Sequence, residues 1–74
     1  MRYFYFSLSI PRAEYLRYYQ GAAARVVVRA QDGCTLSLPA INLRRFVSNA
    51  GVHGYFRAGI DENNRLVSLE RQGV

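Results

Sequence analysis

From Tyr3 to Ile10 the chain alternates without a break. Phe4, Phe6, Leu8 and Ile10 take one set of positions, and Tyr3, Tyr5, Ser7 and Ser9 take the other. Successive side chains of a strand point to opposite faces, so the pattern predicts a half-buried strand with an apolar inner face and a tyrosine-bearing outer one. Pro11 follows at once and suits the first turn of a helix, where its missing N–H costs nothing. The helix is expected over Arg12–Gln20, with Glu14 near its positive end and Gly21 as its stop. Spacing of i, i+3 sets Ala13, Leu16 and Tyr19 or Gln20 on one face, with Tyr15, Arg17 and Tyr18 toward the flanks.

The rest of the chain continues in short pieces. Arg25–Ala30 is a β-branched second strand. Gln31-Asp32-Gly33 is the strongest local signal in the sequence, a tight hairpin turn. Thr35–Leu38 returns as a third strand with Leu36 and Leu38 inward, ended by Pro39. Ala40–Val47 forms a short helical turn that buries Ile41 or Leu43 with Phe46, and Asn49–Gly51 is a loop. A fourth strand, Val52–Ile60, carries Val52, Gly54, Phe56, Ala58 and Ile60 on one face. Asp61–Asn64 is a second turn, Arg65–Glu70 a fifth strand, and Arg71–Val74 is expected to fray. Two tight hairpins imply mostly antiparallel pairing. The expected fold is α+β: one small, curled, five-stranded sheet, or a partly open barrel, with a helix after the first strand and a short helical turn between the third and fourth.

Length and composition narrow what such a domain does. Seventy-four residues make one domain, with a core that leaves little surplus stability. The single cysteine, Cys34, excludes an intrachain disulfide framework, and one thiol with one histidine cannot build a structural zinc site within one chain. Met1–Ile10 reads as a strand rather than a signal peptide, and no run is apolar enough to span a membrane. The cytoplasm is the expected compartment.

Chemistry is sparse. A catalytic triad needs a nucleophile, a base and an orienting group, and His53 is the sole imidazole. Flanked by Gly51 and Gly54, His53 reads either as a ligand contact or as a strand residue tied by hydrogen bonds. Cys34 reads as a small structural residue. Asp61-Glu62-Asn63-Asn64 lacks the ligand pattern of a calcium loop and reads as a solvated turn. No phosphate-binding glycine loop occurs. The chain is expected to be non-enzymatic, with no cofactor, no metal and no small-molecule substrate.

All ten basic side chains are arginine, ten aromatics are threaded among them, and the net charge is +5. A G- and C-rich genome accounts for arginine in place of lysine, but not for the charge, which favours polyanions. Arginine also stacks on aromatic rings and binds phosphate as a planar fork. If the inward positions are right, the outward set holds Tyr3, Tyr5, Arg25, Arg29, His53, Tyr55 and Arg57, with Arg44 and Arg45 as a second basic point in the helical turn. Three readings fit this set. It is a platform for nucleic acid, with bases on aromatics and guanidinium groups on phosphates. It is a protein interface, most simply a homodimer, since tyrosine and arginine dominate such surfaces. Or it is cross-strand pairing that stabilises a solvated face. Tyr15, Tyr18 and Tyr19 similarly read as rings capping the core with hydroxyls in water, or as a binding ridge.

The string Tyr15-Leu16-Arg17-Tyr18-Tyr19-x-Gly21, Asp32-Gly33, Leu43-Arg44-x-Phe46-Val47, Gly51-x-His53-Gly54-x-Phe56 and Leu66-x-Ser68-Leu69 resembles a small bacterial family catalogued as domain of unknown function 2835. The resemblance covers nearly the whole chain. It implies a short protein without an established activity and transfers no site residue. The sequence departs from the family pattern at Arg45, where proline is expected, and at Gly59, where a bulkier residue is expected.

Overall fold

The computed structural model describes residues 1–20 and 25–72. In chain order these form β1 (Arg2–Ile10), α1 (Arg12–Gln20), β2 (Arg25–Arg29), β3 (Thr35–Pro39), a 3₁₀ helix (Ala40–Phe46), β4 (Val52–Ile60) and β5 (Leu66–Gln72). The class is α+β, as the sequence implies. Gly21, the expected helix stop, lies outside the described residues.

The five strands do not form one sheet. β1, β4 and β5 make a three-stranded antiparallel sheet in the order β1-β4-β5, and β2 and β3 make a separate hairpin. Neither closes into a barrel among the described residues. β4 takes one edge of β1 along its whole length, from Arg2 opposite Ile60 to Ile10 opposite Val52. The hairpin is stitched locally by its own turn, with the Gly33 N–H donating to the Ala30 carbonyl and the Ala30 N–H to the Cys34 carbonyl. It meets β1 through the Gln31 N–H, which donates to the Tyr5 carbonyl at 2.8 Å. Local turn chemistry is legible in a sequence; the order in which completed hairpins dock is not.

Both sheets turn their apolar faces into one core. Phe6, Leu8 and Phe56 from the larger sheet pack with Val26, Val28 and Leu38 from the hairpin. The Phe6 and Phe56 rings stack with centroids 5.9 Å apart, and Phe46 meets Phe56 edge-on at 5.0 Å. Aromatic pairs in these geometries add about 0.5–1.5 kcal/mol beyond the area they bury. Of the alternatives in the 3₁₀ helix, Leu43 is buried and Ile41 is exposed. Of the residues expected to fray, Arg71 and Gln72 instead extend β5, opposite Phe56 and Tyr55, and residues 73–74 lie outside the described residues.

The helix turns inward a residue that its spacing leaves on a flank. Ala13 and Leu16 are exposed, whereas Tyr15 is buried and stacks on Tyr19 one turn later, at 5.9 Å. A hydroxyl decides the orientation. Tyr15 donates to the carbonyl of buried Ala40 at 2.9 Å, so the ring fills apolar space while its buried O–H finds a partner. Burial pushes the Tyr15 pKa above the ordinary tyrosine value; Tyr19 adds to the rise and Arg44 opposes it.

Gly51 locks the β1–α1 corner against the start of β4. Its φ is +111°, and a Cβ there would stand 2.0 Å from the Ile10 carbonyl oxygen and 2.6 Å from the Arg12 nitrogen. Both obstacles are backbone and cannot step aside. Gly33 also has a positive φ, +92°, but open space around it.

Two outcomes follow for stability, read by urea unfolding. Gly51→Ala is expected to cost about 3 kcal/mol or more, against about 1–2 kcal/mol for Gly33→Ala, which suffers only the left-handed backbone. Tyr15→Phe is expected to cost about 0.5–1.5 kcal/mol by removing the buried hydrogen bond to the Ala40 carbonyl. Because its folded pKa is raised, the Tyr15 contribution is complete below about pH 10 and is lost as pH climbs through the higher folded value. Wild type should therefore lose stability more steeply than Tyr15→Phe above that pH.

Candidate nucleic-acid interface on the outward sheet face

The register of β1 on β4 places Tyr3 opposite Gly59, Tyr5 opposite Arg57, Ser7 opposite Tyr55 and Ser9 opposite His53. β5 adds Ser68 beside Gly59, Glu70 beside Arg57 and Gln72 beside Tyr55. One outward face thus carries Tyr3, Tyr5, His53, Tyr55 and Arg57. Tyr3 is 49% and Tyr5 37% exposed, so both rings offer surface to solvent. Tyr5 and Tyr55 stack at 6.1 Å with planes 21° apart. The Arg57 guanidinium lies 4.8 Å from the Tyr3 ring centre. Gly59 permits this closure, since a Cβ there would meet the Ser68 hydroxyl at 2.4 Å and the Tyr3 ring at 3.3 Å.

Arg57 is not a free cation. It donates to Glu70 at 2.5 Å, the one ion pair among the described residues. The hydrogen bond to Glu70, and after it one to Tyr5, raises its pKa further, so it stays charged. Its Nε–H, shielded from solvent, has no hydrogen-bond partner. Glu70 is the residue that the outward set omitted.

His53 is held at the end of the face. Its Nε2–H donates to the Ala50 carbonyl at 2.7 Å, and its Nδ1 is hydrogen-bonded with the Ser9 hydroxyl at 3.2 Å. These contacts make His53 a brace between β4, β1 and the preceding loop.

The other basic residues of the expected constellation stand elsewhere. Arg25 and Arg29 lie on the hairpin, outside the sheet that carries the tyrosines. Arg25 is engaged there by Ser37, donating from Nε to its hydroxyl at 2.7 Å and from a terminal nitrogen to its carbonyl at 2.8 Å. Arg44 and Arg45 lie on the 3₁₀ helix beside β5. Arg44 sits 6.0 Å from the Tyr19 ring centre, and Arg45 sits 4.8 Å from that of Phe46 while donating to the Leu69 carbonyl. Arg71, itself exposed, lies over the Phe56 and Phe46 rings and donates to the His53 carbonyl at 3.0 Å. Much of the arginine–aromatic pairing legible in the composition is therefore intramolecular.

Asp61 and Asp32 are committed to turns. The Asp61 carboxylate accepts the backbone N–H groups of Asn63 and Arg65, both at 2.9 Å. Asp32, by its hydrogen bond first and its charge second, raises the Cys34 thiol pKa, which disfavours the reactive thiolate. No cluster of three or more metal-ligating side chains occurs among the described residues, and no described helix is long and apolar enough to cross a membrane.

A family model described as "Protein of unknown function (DUF2835)" matches residues 2–72. The chain belongs to that family. The match spans every described strand and both helical segments, so the DUF2835 domain is this pair of antiparallel sheets with its helix and 3₁₀ helix. No curated protein and no solved structure matches the chain.

Proposed function

We propose that this DUF2835 protein is a non-enzymatic accessory protein that binds single-stranded nucleic acid on the outward face of β1-β4-β5. The observation that carries the reading is the row of Tyr3, Tyr5 and Tyr55 with Arg57 among them, on one face of adjacent strands. Unpaired bases stack on such rings for about 1–3 kcal/mol each. The net charge of +5 draws the phosphate backbone in, and affinity falls as salt rises because bound counterions are released. A duplex hides its base faces, so single strands are the favoured ligand.

The Arg57–Glu70 pair sets the affinity in this reading. Glu70 holds the guanidinium on the face but neutralises it, and phosphate must compete with the carboxylate.

Fluorescence anisotropy of labelled single-stranded RNA, single-stranded DNA and duplex DNA at two salt concentrations tests this. Single strands are expected to bind more tightly than duplex. Tyr5→Ala and Tyr55→Ala should each weaken binding by about 5- to 100-fold, and Glu70→Gln should strengthen it several-fold at low salt. Unchanged affinity in both tyrosine variants would sink the proposal. Self-association through the same face is the competing reading. It predicts a mass that rises with concentration and returns to monomer in Tyr5→Ala.

A further inference from the structure

A second surface, away from the tyrosine face, has the makings of a peptide site. β5 is an edge strand, paired with β4 on one side and open on the other. Along that open side runs a groove of about 670 Å³ between β5 and the 3₁₀ helix. Ile41, Arg44 and Arg45 form one wall, and Leu66, Val67 and Leu69 the other. Ile41 is 58% and Val67 49% exposed, so apolar surface faces water on both walls. No acidic side chain lines the groove.

The backbone of β5 is prepared for a further strand. Arg45 donates to the Leu69 carbonyl, which shows that this carbonyl points away from β4. Alternation along an antiparallel strand sends the backbone groups of Arg71 to the same open side. A shift in the β4–β5 register falls between Gly59 and Ile60, and Val67 is left out of the pairing. Bulges of this kind end or redirect pairing at sheet edges.

We infer that this groove receives an extended acidic segment of a partner protein, added as a strand along the open edge of β5. Strand addition draws affinity from backbone hydrogen bonds and specificity from alternate side chains. Here the alternation is supplied by chemistry on two walls. Apolar side chains of the peptide rest on Ile41 and Val67, and its carboxylates reach Arg44 and Arg45. Arg45 guards the edge until the partner arrives: as its guanidinium turns to a peptide carboxylate, the Leu69 carbonyl is freed to accept a peptide N–H. A second copy of this chain is disfavoured as occupant, because it brings the same arginines and the same net charge of +5. Nucleic acid is disfavoured because no aromatic side chain lines the groove to take a base.

The probe is a fluorescein-labelled peptide of about eight residues alternating valine and glutamate, compared with its glutamine and lysine counterparts. Binding is expected to be saturable for the glutamate peptide, about tenfold weaker for glutamine and absent for lysine. Arg45→Glu and, as a substitution at an exposed position, Val67→Asp should each abolish it with circular dichroism unchanged. Tyr5→Ala and Tyr55→Ala should leave it intact, which separates this site from the sheet face. Failure of the glutamate peptide to bind, equal binding of the lysine peptide, or indifference to both groove variants overturns the inference. So does a dimer that Val67→Asp dissociates, which would seat a second copy in the groove, or an oligonucleotide whose binding the same two variants remove.

Discussion

The antiparallel pairing of β1 with β4 runs unbroken from Arg2–Ile60 to Ile10–Val52, and both faces of the molecule depend on its register. On the inside it sets Phe6 against Phe56 and Phe4 against Ala58. On the outside it sets Tyr5 against Arg57 and brings Tyr5 onto Tyr55. A slip by one residue would expose the core and bury the tyrosines together. The register has a mechanical stop: Gly51, just before β4, lies so close to the Ile10–Arg12 backbone that only glycine fits. Gly59, near the other end, lets Tyr3 and Ser68 close over it.

Arginine serves this fold in two ways. Arg71 and Arg45 lie over core aromatics with their charged ends on backbone carbonyls, so their stems complete apolar surface that a chain of this size cannot otherwise cover. Arg57 does the same for Tyr3 but ends on Glu70 instead of a carbonyl. Among the arginines lying over aromatic rings, Arg57 is the one whose ring belongs to the tyrosine face.

Much of this was legible in the sequence. Alternation in Tyr3–Ile10 placed Phe4, Phe6, Leu8 and Ile10 inside and both tyrosines outside, and the Asp32-Gly33 turn fixed the hairpin. What stayed hidden was non-local. The hairpin's docking rests on contacts such as the Gln31–Tyr5 hydrogen bond, which no pattern announces, so alternation alone does not separate Arg25 and Arg29 from the tyrosines of the other sheet. Periodicity along α1 groups Ala13 with Leu16 and leaves Tyr15 on a flank, and it does not announce that the Tyr15 hydroxyl reaches Ala40 and carries its ring into the core. Glu70 was concealed by the register shift. Counting back from Ile60 opposite Leu66 in a regular ladder sets Arg57 against Leu69, and only the shift moves Glu70 into place.

The measurement that tests the account most directly is a residue-resolved NMR titration of the ¹⁵N-labelled protein with a short single-stranded RNA. Amide shifts are expected to gather on Tyr3, Tyr5, Tyr55, Arg57 and Glu70, with Arg25, Arg29 and the 3₁₀ helix little changed. Shifts confined to the hairpin or to the 3₁₀ helix, or none at saturating RNA, would contradict it and return the tyrosine face to a purely structural role.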